Sequence, residues 1–169
     1  MTAPEMGEYL VGAYLKIVEG CDYVDYNVRF PGGGLKGLGE LDVVAFDMDE
    51  GVAYLCEVVT HVRGLLYGKG KGYKGTVERI RKKIKRQKTY ARLQLSQFKT
   101  HRFMLWSPVV PKGLATSLRR IPNVELVINE NYTQRIEELR QKARSEAQDT
   151  GNPAFRVLQI LGHMKPLNS

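Results

Sequence analysis

The sequence predicts an α/β domain, a mixed and mostly antiparallel sheet of about five strands flanked by helices, with two extra helices at the C-terminus. Short runs rich in Val, Tyr, Leu and Phe alternate with longer stretches whose apolar residues recur at helical spacing. Clusters of Gly, Pro, Asn and Asp punctuate them. A chain of 169 residues is long enough to bury one full core.

Residues 4–19 read as a helix, because Pro4 suits a first turn and Met6, Leu10, Ala13, Tyr14 and Ile17 share one face. Gly20 ends it. Residues 21–30 alternate and are rich in Tyr and Val, as a strand requires. Pro31, Gly32, Gly33 and Gly34 make a flexible connection to a second strand at 40–46. Asp49, Glu50 and Gly51 supply hairpin-turn chemistry, so 52–62 returns as the antiparallel partner. The stretch 64–75 holds too many glycines for a regular element and reads as a mobile basic loop. A helix follows at 77–95, with Val77, Ile80, Ile84, Ala91 and Leu95 on one face. Next come a strand at 102–110 around Trp106, a short helix at 114–120, a strand at 124–128 and a polar helix at 133–149. The last helix opens at Asn152 and Pro153 and is expected to bury Phe155, Leu158 and Leu161 before Gly162. Residues 1–130 form the expected core, and 131–169 an extension packed on the same domain.

The charge is uneven. The formal net charge is +8, yet residues 69–102 hold 13 Lys and Arg against the single acid Glu78, a local +12 that leaves −4 elsewhere. A basic patch on a mildly acidic body is the footprint of a polyphosphate partner. Only Cys21 and Cys56 are present, one of them inside an apolar run, which points to a reduced protein rather than a disulfide-stapled one. No leader-type segment precedes the first amphipathic stretch and no apolar run has membrane-spanning length, so a soluble, cytoplasmic protein is expected. Zinc binding is not expected, since His61, His101 and His163 are far apart with no cysteine pairs between them. The glycines around Gly70 do not make a P-loop, because the lysine that should precede Thr76 is missing.

Two strands each carry a carboxylate inside an apolar run, Asp42 in Leu41-Asp42-Val43-Val44 and Glu57 in Cys56-Glu57-Val58-Val59. A carboxylate there costs stability unless it is paired or bound to a cation. If the two strands form the hairpin that their turn implies, both acids lie near one end of the sheet. Two acids and a carbonyl oxygen make a hard oxygen site suited to Mg²⁺, with Mn²⁺ as a substitute. Such an ion activates water and stabilises charge on a phosphate. Beside them, Lys69, Lys71 and Lys74 on the glycine-rich loop, interleaved with Tyr67 and Tyr73, are suited to follow a nucleic-acid backbone. Arg79, Lys82, Lys83 and Arg86 continue that surface along the helix. These contacts position a backbone without reading its sequence.

The order helix, three strands, helix, strand is similar to the core of the PD-(D/E)XK, or restriction-endonuclease-like, nuclease superfamily. Gly39-Glu40-Leu41-Asp42-Val43-Val44 resembles its first acidic motif, in the G-E-x-D-x-V form of archaeal Holliday junction resolvases. Cys56-Glu57-Val58-Val59-Thr60 resembles the second, usually written E-V-K-T. Gly7 and Glu8, followed by Ala13-Tyr14-Leu15, resemble the first helix of that family. The resemblance covers about residues 6–110. It implies that Asp42 and Glu57 bind the metal with the Val58 carbonyl as a third ligand, and that Glu8 is an outer or second-metal ligand. Position 59 departs from the pattern, with Val where the family has the lysine that orients the attacking water.

Two explanations of that departure compete. The lysine has moved to the following helix, where Lys83 is the candidate with Lys82 and Lys85 close behind, or the site is silent and kept for binding. Lys83, Gln87 and Tyr90 share one helical stripe, and Gln87 and Tyr90 resemble a glutamine–tyrosine pair of some relatives and join the expected nucleic-acid contacts. The expected function is therefore Mg²⁺-dependent hydrolysis of DNA phosphodiester bonds by an endodeoxyribonuclease, with Asp42, Glu57 and Lys83 as catalytic residues. The alternatives are a catalytically inactive nucleic-acid-binding module of the same fold and an assembly subunit. A homodimer or larger complex would suit cutting of both strands.

Overall fold

The computed structural model describes residues 3–30, 39–65 and 72–165. Its elements follow in the expected order: α1 (Met6–Ile17), β1 (Tyr23–Val28), β2 (Leu41–Asp47), β3 (Val52–Val58), α2 (Gly72–Gln94), β4 (Thr100–Ser107), α3 (Lys112–Leu118), β5 (Glu125–Ile128), α4 (Glu130–Ser145) and α5 (Pro153–His163). The five strands make one mixed sheet in spatial order β1-β2-β3-β4-β5. β2 pairs antiparallel with both β1 and β3, whereas β4 pairs parallel with both β3 and β5. The expectation of a mostly antiparallel sheet is thus corrected to an even split. The reason is connection length: α2 and α3 are crossovers that return the chain to the sheet end where the previous strand began, and a parallel pair needs such a return.

The hairpin between β2 and β3 turns at Gly51, whose φ of +68° favours glycine, and the Asp47 carboxylate caps the turn by accepting from the Glu50 amide at 2.9 Å. Side-chain alternation then divides the core into two layers. Val43, Ala45, Tyr54, Cys56, Met104 and Trp106 face α1, α4 and α5, meeting Val11, Tyr14, Leu15, Leu139 and Phe155. On the other face Val44, Leu55 and Leu105 meet α2 and α3 through Ala91, Leu95, Ile80, Ile84 and Leu114. The helices α4 and α5 therefore share the principal core with α1 and the sheet. Cys21 and Cys56 are free thiols, both buried.

Several boundaries differ from expectation: β3 ends at Val58 instead of 62, β4 at Ser107 instead of 110, α4 covers Glu130–Ser145 instead of 133–149, and α2 starts early. α2 begins at Gly72, so Gly75, Tyr73 and Lys74 lie on its first turns instead of in a loop. Packing outweighs the low helix propensity of glycine, because Thr76 and Val77 are buried and the Tyr73 ring lies against Gly113 at the start of α3. In α5 the expected burial of Leu161 does not occur. The helix docks through Ala154, Phe155 and Gln159, whose amide donates to the Glu146 and Gln148 carbonyls at 2.7 and 2.9 Å. That orientation turns Leu161 outward with Val157 and Ile160. No helix among the described residues is long and apolar enough to cross a membrane.

At the N-terminal end of β4 a closed ring of charges joins the layers. Arg102 meets Glu125 at 2.6 Å and Glu19 at 3.5 Å, and Arg135 meets Glu19 at 2.6 Å and Glu125 at 3.1 Å. Tyr14 accepts from Arg135 at 2.5 Å and donates to Glu138 at 2.9 Å. Two guanidiniums thus balance Glu19 and Glu125 across α1, β4, β5 and α4.

The approach of α1 to β1 depends on Gly12. A Cβ at that position would stand 2.1 Å from the Tyr26 hydroxyl oxygen, and Tyr26 in turn receives the Asn152 amide at 3.3 Å. Gly12→Ala is expected to lower stability by about 1–3 kcal/mol, as overpacking does. The urea midpoint measures it, and an unchanged midpoint would show that the Tyr26 ring has room to move aside.

Candidate active site

The antiparallel register of β2 and β3 pairs Val43 with Cys56, and one step further along the ladder Asp42 stands opposite Glu57. Directly opposed residues of an antiparallel pair project to the same face. For Asp42 and Glu57 that is the face covered by α2, together with Val44 and Leu55. The Asp42 carboxylate accepts from the Val58 amide at 2.8 Å, so the last residue of β3 is tied back to the start of β2. Val58, expected to offer its carbonyl, meets the pair through its amide. Glu57 is 3 % exposed and Asp42 partly buried.

Lys83 descends from α2 and donates to the Glu57 carboxylate. Val59 is buried against Leu65, Val77 and Ile80 beneath the same helix, and a lysine there would have to leave its ammonium among apolar side chains. The cation comes instead from the helix above, three residues after Ile80.

Electrostatics set this cluster apart. Burial, and next the adjacent charge of Asp42, pushes Glu57 up to about 8 in spite of Lys83. Asp42 is raised as well, chiefly by burial. One ammonium faces two carboxylates in an enclosed space, and the uncompensated negative charge calls for a proton or a second cation. Glu8 lies close enough to feel this charge. Its α1 turn rests on Thr60, since a Cβ on Gly7 would meet Thr60 Cγ2 at 2.1 Å, and its carboxylate accepts from the Glu5 amide at 3.0 Å in a capping box. Burial, with Asp42 contributing, raises Glu8 to about 7. Among the described residues no three His, Cys, Asp or Glu side chains converge into one metal-holding group, so Glu8 stands beside the Asp42–Glu57 pair without joining it.

Of the expected nucleic-acid contacts, Lys69 and Lys71 lie outside the described residues, as does Tyr67. Lys74, Arg79 and Lys82 are exposed on α2 and Arg86 is partly exposed, on the same helix as Lys83. Two residues are placed differently from expectation. Gln87 is 1 % exposed; oriented to satisfy both partners, its amide donates to the Leu55 carbonyl at 3.3 Å and accepts from the Glu57 amide at 3.1 Å. It fastens α2 to β3 at the acidic residue and has no surface to offer a ligand. Tyr90 is partly buried, edge-on to the Phe30 ring at 5.2 Å, and packs over β1 and β2. The spacing of Lys83, Gln87 and Tyr90 put all three on one stripe but could not say that the stripe turns inward after Lys83.

The raised carboxylate has a thermodynamic consequence. Its folded-state value of about 8 lies above the usual 4.5, so between these the folded protein binds more protons than the unfolded chain. The associated stability is fully present below about pH 4.5 and is lost as pH rises through about 8. Without divalent cations, the urea midpoint is expected to fall between pH 5 and pH 8, and Glu57→Gln to flatten that fall. A variant with the parent's pH profile would show that Glu57 is not the titrating group. Compared with protein-family models, curated protein sequences and solved structures, the chain matches none, and the chemistry of the site rests on the arrangement of Asp42, Glu57 and Lys83.

Proposed function

We propose that the protein is a divalent-metal-dependent nuclease that hydrolyses DNA phosphodiester bonds, as the resemblance of its acidic motifs to the PD-(D/E)XK superfamily implies. The observation that carries the reading is the pair Asp42 and Glu57, opposed on a hairpin beneath a basic helix whose Lys83 reaches Glu57. The donor set fits a hard cation: two oxygen ligands with one charge in excess of what Lys83 balances, and a main-chain segment at Val58 beside them. Asp42 and Glu57 would hold Mg²⁺ or Mn²⁺, with the Val58 carbonyl as third ligand and Glu8 as an outer one. The chemistry such an ion supplies is activation of water and neutralisation of charge on the phosphate.

The chain's own groups do the remainder. Lys83 supplies a positive charge at the carboxylate pair, where the family places the lysine that Val59 replaces. Gln87 fixes the distance between α2 and β3, and so the reach of Lys83. Exposed Arg79 and Lys82, on the Lys83 side of the helix, line the approach and attract a phosphate backbone. Because ion binding requires both carboxylates deprotonated, affinity for Mg²⁺ would rise with pH up to about 8.

A second reading, a silent nucleic-acid-binding module of the same fold, is favoured by one observation: Lys83 already occupies the Glu57 oxygen that a metal would use. Supercoiled plasmid separates the two. With Mg²⁺ or Mn²⁺, the parent is expected to cut, and Asp42→Asn or Lys83→Met to cut about a hundredfold more slowly or worse, while binding of the same DNA falls less than threefold. Binding by all three proteins with cleavage by none would establish the silent module.

A further inference from the structure

α2 contributes nine Lys and Arg and one acid, a charge of +8, which equals the formal net charge of the whole chain. The other 17 bases and 17 acids cancel. Only part of this charge faces the carboxylates. Lys83 bonds Glu57 on β3, whereas Lys88, about 140° further round the helix, donates to the Pro122 carbonyl at 2.9 Å and lies 5.6 Å from the Phe103 ring on β4. The helix therefore straddles the sheet, with one flank over β2 and β3 and the other over β4 and β5. Along the second flank Arg81, Lys85, Lys88 and Arg92 recur at i, i+4, i+7 and i+11, one unbroken stripe. Arg119 and Arg120 stand at the end of α3, just before the Pro122 that Lys88 meets.

We propose that this far flank is a second surface for a phosphodiester backbone, separate from the backbone held at the carboxylates; the inference rests on the nucleic-acid reading of the first flank. Arg81, Lys85, Arg92, Arg119 and Arg120 are exposed, and among the described residues none of them forms an ion pair with a carboxylate. Like charges gathered with Glu78 as the one acid of the helix among them repel one another, and a polyanion relieves that repulsion. From Arg81 to Arg92 the stripe extends about 16 Å along the helix axis, roughly the rise of five phosphates on one strand. Lys88 is the one member already anchored, and its bond to Pro122 keeps the α2 and α3 portions of the surface together. The backbone bound there is the complementary strand of the same duplex, because both flanks belong to one helix and a duplex reaching it presents both of its strands.

The test uses full-length protein carrying Asp42→Asn, to exclude cleavage, with and without Arg81→Glu, Lys85→Glu and Arg92→Glu. A second variant, Arg119→Glu with Arg120→Glu, guards against a helix-specific artefact. Two quantities are read. One is the dependence of log affinity on log salt for a single strand and for a duplex of equal length. The other is the capture of a free labelled duplex by protein bound to an immobilised one. Charge reversal is expected to lower the duplex slope by about three units and to spare the single-strand slope. A capture that falls at least tenfold, while binding of the first duplex falls less than threefold, would overturn the complementary strand in favour of another molecule. Unchanged slopes and capture in both reversal variants would overturn the second surface alone. Absence of any binding by the parent would overturn the nucleic-acid reading itself.

Discussion

The pairing of Asp42 and Glu57 across the β2–β3 hairpin is the constraint around which this molecule is arranged. Two carboxylates on adjacent strands of a covered sheet face bring an electrostatic cost that packing alone cannot remove. The fold meets part of it with Lys83 on Glu57 and the Val58 amide on Asp42. The rest remains as an excess negative charge, and burial above all raises the Glu57, Asp42 and Glu8 carboxyls. The helix that brings Lys83 down must lie close to β3, and Gln87, inserted against the Leu55 and Glu57 backbone, sets that distance. Val59 and Ile80 fill the space beside it.

A second group of partly buried charges shows what a balanced arrangement looks like. At the other end of the sheet and on its other face, Arg102 and Arg135 alternate with Glu19 and Glu125 around a closed ring. Each charge there has two partners of opposite sign, and Tyr14 and Tyr54 supply further hydrogen-bonding oxygens. Such a ring holds α1, α4 and the sheet in register and leaves nothing for a ligand to neutralise. The contrast identifies the Asp42–Glu57 end as the chemically open one. Of the two clusters, the Asp42–Glu57 one is short of a cation.

α2 connects this local deficit to the charge of the whole chain. A helix with nine bases and one acid is held on the sheet by a narrow apolar strip of Val77, Ile80, Ile84 and Ala91. The strip leaves most of the circumference to Lys and Arg, with one flank over the strand that carries Glu57 and the other over β4.

By itself the sequence determined the element order, the hairpin and the two acids, because turn chemistry and alternation are local: Gly51 marks the turn and alternation sets Glu57 with Leu55, while the common face of Asp42 and Glu57 came from the register of the pair. It also singled out Lys83 among the bases of the next helix, and the structure places that lysine against Glu57. What only the tertiary structure decided depends on which surfaces meet. The parallel pairing of β4, the start of α2 at Gly72, the inward turn of Gln87 and Tyr90, and the outward turn of Leu161 all follow from helix-on-sheet packing, to which residue spacing is indifferent. The ring of Arg102, Glu125, Arg135 and Glu19 was hidden for the same reason. Its members are separated by long stretches of chain, and no local pattern reports which charges four different elements will bring together.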